Sequence, residues 1–199
     1  AVLDGALALA LPTKFGQSLE IETTPNQKIV WKSITNKGIV WFETECIVDT
    51  SLKISSKDSS DIALRLVQIL EAIQRLNPAH FKADEGLSIS STLEFPENWG
   101  LGSSSTLITN LAAWAKVDPF KLLELTFGGS GFDIACAQQD SAILYQLEKG
   151  KPSIQPVEFS PSFSESLFFV HRNQKQNSRE GIAAYKSLTA DTSLDFSEL

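Results

Sequence analysis

The chain has 199 residues, with 17 Lys and Arg against 24 Asp and Glu, a formal net charge of −7 and a sequence pI near 4.9. That balance excludes nucleic acid as the natural partner, because phosphate backbones are bound through clustered Lys and Arg and no such cluster occurs. The apolar runs fall far short of the roughly 20 residues a membrane span needs, while Cys46 and Cys136 are too few and too far apart for a disulfide framework or a zinc site; the expectation is a soluble, cytoplasmic protein with 42% hydrophobic content, enough for a packed core.

In chain order, Val2 to Pro12 alternates Ala and Leu and reads as a buried strand; Asp4 interrupts it, and no basic segment precedes it as in a secretory leader. Ser18 to Thr23, Lys28 to Ser33 and Gly38 to Ile47 read as antiparallel strands, with Asn36-Lys37-Gly38 as the turn between the last two. Ser60 opens a helix whose apolar face is Ile62, Leu66, Ile69, Leu70, Ile73 and Leu76. Leu87 to Phe95 has the period of two of a half-buried strand, and Leu107, Ile108, Leu111, Ala112, Trp114 and Ala115 recur at helical spacing with Ser103 or Ser104 as N-cap. Asp118-Pro119 starts a short helix, Phe120 to Leu125, and Ser141 to Leu147 is a strand. Residues 149–165, with Pro152, Pro156 and Pro161, read as a break; Leu167 to His171 then reads as a strand and Ser178 to Leu188 as a helix.

Between the strand ending at Phe95 and the following helix lies Pro96-Glu-Asn-Trp-Gly-Leu-Gly-Ser-Ser-Ser-Thr106. Gly100 and Gly102 permit positive φ and close approach of a ligand, and a helix start offers unpaired N–H groups and the positive end of a dipole. Ser103, Ser104 and Ser105 add hydroxyls, so the natural reading is an anion site. It is not a P-loop, since no lysine follows until Lys116, and not a dinucleotide fingerprint, since the third glycine is missing. A second stretch, Thr126-Phe-Gly-Gly-Ser-Gly-Phe-Asp-Ile-Ala-Cys-Ala137, sets one carboxylate, Asp133, among small and apolar residues. Taken alone, Asp133 is either the N-cap of a short helix beginning near Ile134 or a functional carboxylate.

The spacing Pro-x-x-x-Gly-Leu-Gly-Ser-Ser resembles the second motif of the GHMP kinases, the family of galactokinase, homoserine kinase, mevalonate kinase and phosphomevalonate kinase. The Gly-Ser-Gly-Phe-Asp-Ile-Ala segment is similar to the family's aspartate segment, with wording closest to mevalonate or phosphomevalonate kinases, and Val2 to Pro12 resembles the tail of its first motif. The resemblance implies ATP and magnesium as cofactors, Gly100, Leu101, Gly102, Ser103, Ser104 and Ser105 around the phosphates, Ser104 and Glu124 at the metal, Asp133 as catalytic base, and Lys14 and Ser130 against a small-molecule acceptor. It implies an α+β fold: an N-terminal domain like the second domain of ribosomal protein S5 over residues 1–150, then a linker and the start of a ferredoxin-like C-terminal domain over 151–199. In that second part the loop Asn173 to Ser178 resembles the one that opens the family's second domain, with Lys175 and Arg179 most simply exposed. The front of the first motif and the third, glycine-rich motif are not in the sequence and it holds no methionine, so a piece of a longer kinase is expected.

Other classes fit less well. Gly128-Gly-Ser130-Gly approaches the Gly-x-Ser-x-Gly of a serine hydrolase but has Phe132 in place of the last glycine, and His80 and His171 have neither metal-ligand nor triad spacing. A non-catalytic nucleotide-binding relative, a kinase of sugars or of homoserine, and assembly as a homodimer remain alternatives.

Overall fold

The computed structural model describes residues 2–171 and positions 181, 183–185 and 187. Among the described residues two sheets form. The larger contains β2 (Gln17–Thr24), β3 (Lys28–Ile34), β4 (Val40–Val48), β5 (Ile54–Ser56) and β6 (Gly86–Leu93), in the order β2-β6-β3-β4-β5. Strands β2 and β3 run in opposite directions but do not pair as the sequence led us to expect. Strand β6 lies between them, antiparallel to β2 through Ile21 and Ile89 and parallel to β3 through Trp31 and Ile89. A parallel neighbour demands a long crossover, here made of β4, β5 and the helix α1 (Asp61–Leu76). Gly86 makes the insertion possible: a Cβ there would lie 2.9 Å from the Gln27 nitrogen and closer still to the Thr24 and Asn26 side chains, so only glycine passes beneath the β2–β3 connection.

Helices α1, α2 (Ser103–Ala115) and α3 (Pro119–Thr126) contribute, with the larger sheet, to the main core, in which Trp31 and Ile89 meet Leu70, Ile73, Ile108, Leu111 and Leu122. Each such aliphatic side chain stabilises the fold by about 1.5–3 kcal/mol on burial. Ser60 caps α1, its Oγ accepting from the Ala63 nitrogen at 3.3 Å. The buried stripe of α1 uses Ala63 where the sequence pattern suggested Ile62, which is 47% exposed. Asp118 caps α3 by accepting from the nitrogens of Phe120 and Lys121. On the polar side of the sheet Lys28 pairs with Glu45 and Lys32 with Glu43, exposed pairs worth less than about 1 kcal/mol each.

The smaller sheet joins β1 (Ala8–Ala10), β7 (Ile143–Glu148) and β8 (Lys151–Pro156) in the order β1-β7-β8, with α4 (Phe132–Ala137) packed on it through Ala135 against Ala10, Ile143 and Tyr145. The alternating Ala and Leu of β1 are not buried throughout: Ala10 faces the core while Leu7, Leu9 and Leu11 stay exposed. The expected break at 149–165 begins instead with a tight hairpin that joins β7 to β8, Lys149 and Gly150 both having positive φ. Pro152 and Pro156 are tolerated because β8 is an edge strand, where a missing N–H costs least. Leu167 to His171 pairs with no described strand, and Phe168 is 82% exposed. Of the expected helix from Ser178, positions 181, 183–185 and 187 are helical; Ser178, Lys175, Arg179 and the loop from Asn173 lie outside the described residues. Among the described residues no helix is long and apolar enough to cross a membrane.

Candidate functional site

Strand β6 leads through the buried Phe95 into one short turn, Glu97–Trp99, and then into two left-handed glycines, Gly100 at φ 76° and Gly102 at φ 75°. Gly102, not Ser103 or Ser104, is the N-cap of α2, and having no side chain it leaves the helix start uncapped. The nitrogens of Ser105 and Thr106 both donate to the Gly102 carbonyl, at 2.9 and 3.0 Å, so the N–H groups of Ser103 and Ser104 precede the helical ladder. Space for a Cβ at Gly100 and Gly102 is open to 4 Å. This start is anchored from behind: Thr106 Oγ1 donates to Gln17 Oε1 at 2.6 Å, Asn110 Nδ2 donates to the Gln17 carbonyl at 2.6 Å, and Gln17 Nε2 donates to Ser91 Oγ at 2.7 Å.

The Asp133 segment is built differently. Gly128, Gly129 and Gly131 all have positive φ, which turns the chain from α3 into α4. Gly131 is the N-cap of α4, and a Cβ on it would meet the Phe120 ring at 2.8 Å. Ser130 is taken up by this turn: its carbonyl accepts from the Tyr145 hydroxyl and its Oγ from the Phe132 nitrogen at 3.3 Å. Asp133 is therefore not a cap but the second residue of the helix. Its side chain opens to solvent, yet the surrounding walls crowd it and raise its carboxyl above the ordinary carboxylate value. Burial also raises the Cys136 thiol, with the Asp133 charge adding to the effect.

Lys14, Gly100, Leu101, Gly102 and Asp133 line one cleft of about 650 Å³, with Glu94, Asn110 and Asp140 also in its wall. Lys14 is exposed, its Nζ 5.7 Å from the centre of the Phe15 ring. Ser103 and Ser104 face a second cavity of about 670 Å³, which is walled by Trp31, Trp41, Phe42, Leu107 and Phe127 and carries Asp61 and Glu97. Gln17 belongs to both, so the two hollows flank the start of α2. Ser105, Ser130 and Glu124 line neither; Glu124 is exposed on α3. Sequence reasoning missed Gln17, which no local pattern marks, and Glu97, which stands inside the glycine-rich motif. Among the described residues no three His, Cys, Asp or Glu side chains gather into a metal-ligating group.

No family model matches the sequence, and no curated protein matches it at a significant level. Solved structures match by shape, and two of them illustrate the likeness. One is L. major mevalonate kinase in complex with R-mevalonate, with 18% identity and a TM-score of 0.52 over 80% of this chain and 48% of that one. The other, from Campylobacter jejuni and assigned provisionally as a sugar kinase, has 16% identity and a TM-score of 0.55 over 81% of this chain and 50% of that one. The chain spans about half the length of each, and at these identities the likeness is one of fold: a mixed α and β architecture shared with a mevalonate kinase and with a protein assigned as a sugar kinase.

Proposed function

We propose that the chain is the nucleotide-binding part of a GHMP-type small-molecule kinase, its first unit of the kind found in the second domain of ribosomal protein S5. The observation that carries this reading is the shared cleft of Gly100–Gly102 and Asp133, an anion cradle beside a carboxylate of raised basicity. The aromatic and apolar cavity suits a purine, and the phosphates of ATP would run from there across the start of α2, where N–H groups and the helix dipole meet negative charge. Asp133 then takes the proton from the acceptor hydroxyl as that oxygen bonds to the γ-phosphorus and the β–γ bridging P–O bond breaks toward ADP. Lys14 offers a positive charge to the acceptor.

If magnesium accompanies the nucleotide, the Ser104 hydroxyl and the Glu97 carboxylate, which line the second cavity at the start of α2, would hold it where the phosphates cross that start; Glu124 lines neither hollow. The ion would neutralise phosphate charge, while Ser104 and Glu97 orient it. For the acceptor, the wording around Asp133 supports mevalonate or phosphomevalonate ahead of a sugar or homoserine. The free thiols of Cys46, pushed up to about 11, and Cys136 suit a cytoplasmic enzyme. The test is phosphoryl transfer from γ-labelled ATP, with magnesium, to a panel of mevalonate, phosphomevalonate, homoserine and sugars. Labelled product from one acceptor is the expected result; ATP binding without any product would support a non-catalytic nucleotide-binding module instead.

A further inference from the structure

Trp99 closes the turn ahead of Gly100, and its indole is met by two distant parts of the chain. The Phe15 ring approaches it edge-on, centroids 5.9 Å apart at 80°, and the His171 ring lies 4.6 Å away at 34°. Phe15 itself lines the cleft that holds Asp133 and carries the Lys14 ammonium near its ring. A second tether lies next to the first: the Gly16 nitrogen donates to Glu94 Oε2 at 2.7 Å. Residues 15 and 16 are thus tied to both ends of the stretch 94–99 that delivers the glycine loop. The loop beyond has little rigidity of its own, since Gly100 and Gly102 flank Leu101 and no side chain caps α2.

We propose that Trp99 is a positioning residue that registers the phosphate loop against the acceptor wall through Phe15. This rests on the nucleotide reading above. The ring contact fixes where the backbone at Gly100–Gly102 stands relative to Lys14 and Asp133, a placement that glycines alone leave free. By linkage, an acceptor that binds more tightly when Phe15 and Lys14 hold this placement would favour the same loop position for the nucleotide.

The experiment is a double-mutant cycle on the full chain, with MgADP as the probe in calorimetry and the melting temperature measured alongside. Trp99→Ala and Phe15→Ala should each weaken MgADP by about twofold to tenfold, the range an aromatic pair supplies. The double variant should be no weaker than the worse single, and Trp99→Phe should restore most of the affinity. Native-like affinity in Trp99→Ala, or losses that multiply in the double variant, would overturn the proposal while leaving the nucleotide reading intact. Failure of the native chain to bind MgADP would overturn both. If Trp99→Ala melts too low to assay, Phe15→Ala, which leaves the loop sequence untouched, carries the same expectation.

Discussion

Thr106 donates its hydroxyl to the side-chain oxygen of Gln17 at 2.6 Å, and by that contact the first turn of α2 is pinned to the strand β2. Gln17 also belongs to the walls of both hollows that flank the helix start. Gln17→Ala leaves the Thr106 hydroxyl and Ser91 without this partner and loosens the helix start. We expect the KM for ATP to rise several-fold, with a loss of about 1–2 kcal/mol in stability. Steady-state kinetics with a urea titration checks both.

Gly102 and Gly131 share a left-handed backbone but differ in what surrounds them. Alanine at either costs about 1–2 kcal/mol of backbone strain. At Gly102 the added methyl enters open space, so Gly102→Ala should fold and lose MgADP affinity. At Gly131 it meets Phe120 carbons at 2.8 and 2.9 Å, so Gly131→Ala should lower the melting temperature further, by the additional 1–3 kcal/mol or so that overpacking costs. Equal behaviour of the two variants would contradict the assignment of the loop.

Magnesium dependence separates Glu97 from Glu124. Glu97 stands in the cavity with Ser104, and Glu124 projects from α3 away from both hollows. Titrating the rate with magnesium, Glu97→Gln and Ser104→Ala should shift half-saturation to higher metal concentration, and Glu124→Gln should leave it where it is. A shift in Glu124→Gln alone would restore the sequence-based choice.

His80 sits between Phe81 and Trp114, with ring centroids 4.9 and 4.3 Å away, and its buried Nε2 has no hydrogen-bond partner among the described residues. Burial lowers its pKa below the ordinary 6.5, because the charged ring loses solvation. The unfolded chain therefore binds the proton more readily, and the contribution of His80 to stability is complete above 6.5 and lost as pH falls through the lower folded value. Lys82 and Glu85, paired at 3.2 Å, are the charged groups that line the same small cavity. Chemical denaturation between pH 7 and about 5 should show a steeper loss in the native chain than in His80→Phe.

Much of the local structure was legible in the sequence. Ser60 and Asp118 mark helix starts because a side-chain oxygen satisfies nearby N–H groups, a purely local effect. The strand order was not legible, because β6 enters between β2 and β3 from far along the chain and its only sign is Gly86, read properly once the Gln27 backbone is seen above it. Pro152 and Pro156 suggested a break because prolines are unfit for a central strand, and the edge position of β8 removes that objection. At the site, the glycine loop was marked by its own residues and Asp133 as a functional carboxylate by the family resemblance; the structure sets both in the wall of one cleft. Glu124 was chosen by the family resemblance from its place upstream of Asp133, and it lies exposed on α3, lining neither hollow.

The central claim rests on Asp133 as the proton acceptor, and Asp133→Asn tests it most directly. Asn keeps the size and most hydrogen bonds of Asp but takes no proton, and since Gly131 caps α4 the helix should be unaffected. Because the crowding walls of the cleft desolvate and so raise the Asp133 carboxyl, its ionisation disfavours the fold slightly as pH rises, so the melting temperature of the variant at neutral pH should be equal or somewhat higher. The account predicts that turnover falls by a factor on the order of 10² to 10⁴ with MgADP affinity unchanged. A near-native rate in Asp133→Asn, with folding and MgADP affinity intact, would contradict it.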